Sequence, residues 1–158
     1  MFNLGSVMKD LGDRERARPI YEEVLRRARE LPSARTQALA LGNLASLAHD
    51  EGRYDDAVPL SKEALRFDHE LGELRLAARD LARFAIQFAR EGRAATAARL
   101  LSSSDELRRR IGAGDDTFEE TLQAIRAELG PEEFAEAWEA GRMLTLDEAV
   151  ELALGESG

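Results

Sequence analysis

The chain has 158 residues, no cysteine, four prolines and many alanines, leucines, glutamates and arginines, which excludes disulfides and thiolate chemistry and favours an all-α fold. The net charge of −9 is uneven: residues 1–114 carry 20 basic and 18 acidic side chains, whereas residues 115–158 carry 2 and 13, so direct nucleic-acid binding is not expected. No segment has the pattern of a signal peptide or the ~18 consecutive apolar residues of a membrane span, and we therefore expect a cytoplasmic protein without membrane contact.

A segment of 23 residues recurs 40 residues further along the chain. "NLGSVMKDLGDRERARPIYEEVL" begins at Asn3 and "NLASLAHDEGRYDDAVPLSKEAL" at Asn43, with nine identical positions and no gap. A weaker third copy, "RFAIQFAREGRAATAARLLSS", begins at Arg83. In each copy an apolar helix is expected to end at a glycine that can adopt a positive φ, and an amphipathic helix follows. Each copy therefore predicts a helical hairpin.

The second helix of each hairpin carries an apolar stripe with helical spacing. Its members are Ala17, Ile20, Tyr21, Val24 and Leu25 in the first copy, and Ala57, Leu60, Ala64 and Leu65 in the second. One hairpin cannot bury such a stripe alone, whereas stacked hairpins bury a continuous core. The predicted fold is an all-α solenoid of about three hairpins over residues 1–104 (1–32, 33–72 and 73–104), closed by acidic capping helices over 105–158.

The C-terminal part has helix signals that do not repeat. Ser103 with Glu106 predicts a capping box for a short helix, and the arginines at 108–110 predict a solvated helix face. Gly130 is expected to end a helix, and Pro131 to open the next, because proline is tolerated at the first helical position.

A second predicted capping box, Thr145 with Glu148, begins the last helix. The apolar side chains expected to face inward in this region are Phe134, Trp138, Leu146 and Val150. Residues 105–158 are therefore predicted to cover the last hairpin.

The hairpins resemble the tetratricopeptide repeat. The matching positions are Leu4, Gly5, Gly12, Ala17 and Tyr21, then Leu44, Ala45, Gly52 and Ala57, then Phe84, Ala85, Phe88, Gly92 and Ala97. The 40-residue period differs from the usual 34 residues, and Ser61 and Leu101 replace the aromatic residue of the second helix. The long period resembles the subtype found in large bacterial signal-transducing ATPases and transcription regulators.

The C-terminal segment resembles the end of LuxR-type and related regulators that combine an ATPase with tetratricopeptide repeats. Their "W-x-x-G-x-x-L/M-[ST]-x-x-E-A" run is matched by Trp138, Gly141, Leu144, Thr145, Glu148 and Ala149. The resemblance implies a protein-interaction and sensing segment of a larger transcription regulator. The ATPase and DNA-binding parts of such regulators have no counterpart in this sequence, so their activities are not assigned to it.

The beginning of the first repeat is short. Met1 occupies the position of Leu41, so the first helix lacks about two turns that precede the motif in the second copy. We expect a fragment of a longer protein, whose exposed N-terminal repeat edge could be covered by an upstream repeat or by a second copy in a homodimer.

No residue pattern predicts catalysis, a metal or a cofactor. His49 and His69 are 20 residues apart without an HExxH motif, and "GAG" at 112–114 lacks the lysine of a phosphate loop. An enzyme or small-molecule carrier would need a deep pocket with converging polar groups, and it remains the least favoured alternative.

Partner binding is expected on the inner face, which the first helices of successive repeats line. By the resemblance, the side chains on this face are Asn3, Ser6, Asp10, Asn43, Ser46, His49, Asp50, Arg83, Gln87 and Arg90. The asparagines and serines could bind the backbone of an extended peptide, or the asparagines could instead tie adjacent helices together. The carboxylate-clamp form of the repeat uses several lysines together with asparagines. Lys9 alone does not supply them, so binding of chaperone tails is not expected. The alternative to a regulator segment is a stand-alone adaptor that binds a peptide.

Overall fold

The computed structural model describes residues 14–113 and 118–155, and these residues form seven α-helices and no β-strand. The helices are α1 (Arg14–Glu30), α2 (Ala34–Asp50), α3 (Tyr54–Glu70), α4 (Leu74–Arg90), α5 (Ala94–Arg110), α6 (Glu119–Arg142) and α7 (Leu146–Leu154). The predicted all-α fold class of TPR-like helical repeats is confirmed. The boundaries proposed for the three repeats and the cap stay predictions.

The helices α1 to α5 follow a regular spacing of 20 residues. Each has 17 residues, and three residues separate each of the five helices from the next of the five. Gly52, Gly72, Gly92 and Gly112 are the second residue after the end of a helix, with φ of 74°, 67°, 73° and 64°. A Cβ at any of the four would meet no atom within 4 Å, so the backbone conformation is what requires glycine here. The 40-residue sequence repeat therefore contains two similar helix–turn units.

The chain divides into two compact units, residues 1–71 and 72–158. In the first unit, α1 and α3 both pack against α2. The core stripes are confirmed at Ala17, Tyr21, Val24, Leu25, Ala57, Ala64 and Leu65, which are buried, while Ile20 and Leu60 are partly buried. Ion pairs also join elements of this unit, because Arg18 contacts Glu51 at 2.7 Å and Arg29 contacts Glu63 at 3.2 Å.

In the second unit, α5 packs against both α4 and α6. Two buried serines of α5 bond to main-chain carbonyls on either side. The Ser104 hydroxyl donates to Ala78 O of α4 at 2.6 Å, and the Ser102 hydroxyl donates to Trp138 O of α6 at 2.6 Å. Because these serine side chains are small and their hydroxyls are hydrogen-bonded, both neighbouring helices can pack closely against α5.

The capping box predicted at Ser103 is wrong. The helix α5 runs without a break from Ala94 to Arg110, and Ser103 is buried within it. Glu106 forms ion pairs with Arg109 at 2.9 Å and Arg110 at 3.2 Å. The serines are therefore positions of helix contact, a role that their capping preference conceals in the sequence.

The prediction of a solvated arginine face is correct for two of its three residues. Arg109 and Arg110 are exposed. Arg108 is 7% exposed, and its guanidinium lies 5.1 Å from the centre of the Phe118 ring. A buried guanidinium on an aromatic face is a packing element rather than a solvated charge.

The helix signals predicted at Gly130, Pro131 and Thr145 are confirmed. Gly130 has φ 74° and ψ 172°, so it interrupts α6 directly before Pro131. Thr145 Oγ1 accepts a hydrogen bond from the Glu148 N–H at 3.2 Å, and a Glu148 carboxylate oxygen accepts one from the Thr145 N–H at 2.8 Å. These two bonds form the predicted capping box of α7.

The side chains expected to face inward in this part are buried to different degrees. Val150 is buried, whereas Phe134, Trp138 and Leu146 are only partly buried. The rings of Phe134 and Trp138 stack with centroids 5.4 Å apart, and the Arg126 guanidinium lies 4.8 Å from the Phe134 centroid. The inward orientation of Trp138 stays a prediction, because its side chain is covered only in part.

Candidate interaction surface

Three of the predicted contact residues, Asn3, Ser6 and Asp10, lie outside the described residues. The other seven are on α2 of the first unit and α4 of the second, and the two helices are described separately below.

On α2, the predicted residues differ in what they offer a partner. Asn43 donates its side-chain N–H to Leu39 O of its own helix at 2.8 Å, and Ser46 is buried. The His49 ring meets Tyr54 edge-on, with centroids 5.1 Å apart. Asp50 is exposed at the end of the helix. The hydrogen bond of the Asn43 side chain therefore lies within α2. Of the four predicted residues on α2, Asp50 is the most accessible to a partner.

On α4, a buried carboxylate orients two arginines. Asp80 is 1% exposed, and its Oδ1 lies 3.1 Å from Arg79 Nε and 3.4 Å from Arg83 Nη1. A buried carboxylate without a paired charge is unfavourable, so Asp80 is expected to keep the Arg83 guanidinium in contact with it. That contact is expected to fix the position of Arg83. Sequence reasoning missed Asp80, since an isolated aspartate in a helix carries no signal of burial.

The remaining predicted residues of α4 lie nearer its C-terminal end. Gln87 donates its side-chain N–H to a Glu91 carboxylate oxygen at 2.7 Å. Arg90 is exposed. Its side chain thus lies at the surface where α4 ends, and it also lines the groove described next.

An open groove lies between α4 and the first half of α6 and has a volume of about 440 Å³. Its lining residues are Ile86, Ala89 and Arg90 from α4, and Glu120, Thr121 and Ala124 from α6. The volume is at the lower end of the range for ligand sites. Sequence reasoning had named Arg90 alone, because the approach of α6 to α4 joins residues 30 or more positions apart.

A network of charges surrounds the connector between α2 and α3. Burial raises the pKa of Glu51, but the hydrogen bond from Arg53 and the charge of Arg18 outweigh it, so the pKa lies below its usual value. On α1, hydrogen bonds from Arg26 and Arg27 lower the pKa of Glu23 to about 2. These ionised pairs are solvent-facing and stabilise local geometry.

Metal chemistry has no visible support in the part of the chain that the structure describes. Residues 14–113 and 118–155 bring together no group of three or more histidines, aspartates or glutamates that could hold a metal ion. Across those same residues, no helix combines the length and the apolar character needed to cross a bilayer.

A comparison with models of protein families gives a match for the first part of the chain. Residues 1–70 match the family model described as Tetratricopeptide repeat. This part is similar to a tetratricopeptide-repeat region. Such repeats are typically non-catalytic modules that bind proteins or peptides, and the match therefore indicates a role in protein–protein interaction. The comparisons with curated proteins and with solved structures gave no match.

Proposed function

We propose that this chain is the interaction and sensing segment of a larger bacterial transcription regulator, with an ATPase upstream in the same polypeptide. The observation that carries the interaction role is the open groove between α4 and α6, with the exposed Arg90 at its wall. An open groove between helices suits a polypeptide better than a small substrate, which usually needs a more enclosed pocket. In this role, partner binding would hold or release the upstream switch.

The packing of the C-terminal run supports the regulator assignment. A Cβ at Gly141 would lie 2.2 Å from Arg99 O, so α6 crosses α5 at main-chain contact distance. The carbonyl of Trp138 accepts the Ser102 bond, and Thr145 with Glu148 begins α7. Residues of the run that resembles the end of such regulators thus attach α6 to α5 and cap α7, as a terminal cap requires.

The partner-contacting side chains remain the set expected from the sequence. Asp50 and Arg90 are its exposed members among the described residues, so they are the first positions at which to test for contact. We also propose a cytoplasmic location for the regulator, and upstream domains of the same polypeptide or a second copy of this chain as further candidate partners.

The alternative is a stand-alone adaptor that binds a peptide through the same set of side chains. The gene separates the two: an in-frame ATPase or helix–turn–helix segment upstream supports the regulator, and a complete reading frame for this chain alone supports the adaptor.

Photo-crosslinking in the native host tests the interaction role itself. A photoreactive amino acid at Asp50 or Arg90 is expected to crosslink one defined partner, or an upstream segment of the same polypeptide. The control is Glu133 on α6, which is also exposed but does not line the groove. Crosslinks of equal yield and identity from all three positions, or none from Asp50 and Arg90, would contradict the proposal.

A further inference from the structure

The residues that line the groove between α4 and α6 include three apolar side chains and two of opposite charge. Ile86, Ala89 and Ala124 contribute the apolar surface. Arg90 stands on the α4 side and Glu120 on the α6 side, and both are exposed. The two charges thus belong to different helices, one on each wall.

The arrangement limits which peptides fit. Removing apolar side chains from water is favourable, so an aliphatic residue is the expected anchor against Ile86, Ala89 and Ala124. A carboxylate beside the anchor would meet Arg90, whose five N–H donors can serve more than one acceptor. An amine or guanidinium on the other side would meet Glu120. A peptide with like charges on both sides would be repelled by one wall.

We propose that the groove binds a short peptide segment of a partner protein that carries an aliphatic residue between an acidic and a basic residue. This inference rests on the proposed interaction role and adds the chemistry of the partner. The acidic residue lies against Arg90 and the basic residue against Glu120, so each wall selects one of the two flanking charges.

A phage-displayed library of random 12-residue peptides, selected on the full chain, supplies the probe. Enriched peptides are expected to carry an aliphatic residue flanked by opposite charges. Their affinity is then measured by fluorescence polarisation with the wild-type chain, Arg90→Glu, Glu120→Arg and the double variant. Each single variant is expected to weaken binding about fivefold or more, because an attraction becomes a repulsion.

The decisive measurement is the charge exchange. A peptide whose acidic residue is replaced by lysine is expected to bind Arg90→Glu better than the wild type, and a peptide whose basic residue is replaced by glutamate is expected to bind Glu120→Arg better than the wild type. Matched controls are Arg75→Glu on α4 and Glu133→Arg on α6, which change the same charges at exposed positions that do not line the groove. Because all four positions are exposed, the variants are expected to fold, and circular dichroism checks this.

Four results would overturn the inference. Enriched peptides without the charge pattern, or equal loss of affinity in the control variants, would place binding elsewhere. A concentration-dependent dimer that Ile86→Asp abolishes would show that a second copy of this chain covers the groove. The crosslinking experiment in the native host is independent of peptide selection, so a partner found at Asp50 alone would keep the interaction role and reject the groove.

Discussion

Replacing Gly141 by alanine tests the close contact between α6 and α5. A Cβ at this position would stand 2.2 Å from Arg99 O, 2.7 Å from its Cα and 2.8 Å from its carbonyl carbon. These are main-chain atoms of α5, so no side-chain rotation can relieve the contact. Since ordinary carbon contacts lie near ~3.5–4 Å, the helices would have to separate by roughly 1 Å.

The expected magnitude follows from opposing effects. Overpacking of this kind costs about 1–3 kcal/mol. The separation would also weaken the bond from Ser102 to the Trp138 carbonyl, which contributes about 1 kcal/mol. Alanine favours a helix over glycine by about 1 kcal/mol, which offsets part of the loss. We expect Gly141→Ala to lower the free energy of unfolding by about 2 kcal/mol.

Urea unfolding measures this change, with the fluorescence of Trp138, the only tryptophan, as the probe one turn away. The matched control is Ala140→Gly at the neighbouring, exposed position, which is expected to cost about 1 kcal/mol through helix propensity alone. A Gly141→Ala variant that is more stable than the wild type by about 1 kcal/mol would refute the close contact, because propensity would then act without a clash.

Three further predictions concern positions with different physical origins. Gly52→Val is expected to destabilise the first unit by about 1–2 kcal/mol or more, because valine is strained at positive φ. Gly52→Asn should cost less. Equal melting temperatures for the two variants would argue against backbone strain. Trp138→Ala is expected to cost about 2 kcal/mol rather than the about 3–5 kcal/mol of a core tryptophan, because the ring is only partly buried, and urea unfolding followed by circular dichroism checks this. The bonds from the Thr145 N–H and hydroxyl lower the pKa of Glu148, so its contribution to stability is expected to be present at neutral pH and lost below roughly pH 5 as the carboxylate is protonated. Glu148→Gln should flatten this pH dependence of stability, and an unchanged profile would exclude the cap as its source.

The candidate site was less predictable than the fold. Arg90 was named from its repeat position, but its neighbours Glu120 and Thr121 come from a helix outside the repeats. No sequence pattern predicted that Asp80 would be buried in contact with two arginines. Ser102 and Ser104 have the local preference of helix caps, yet they lie inside α5 and bond to neighbouring helices. Each of these outcomes depends on which helices meet, and local preference does not determine that.

What the sequence determined by itself is the set of local structures. Glycine at Gly52 and Gly92, the apolar stripes of α1 and α3, the break before Pro131 and the capping box at Thr145 all follow from preferences that act within one or two helical turns. What only the tertiary structure decided is how far each side chain is buried and which distant residues share a surface. The partial burial of Trp138 and the groove lined by Arg90 and Glu120 are of this kind, because burial and contact depend on the approach of helices far apart in the chain.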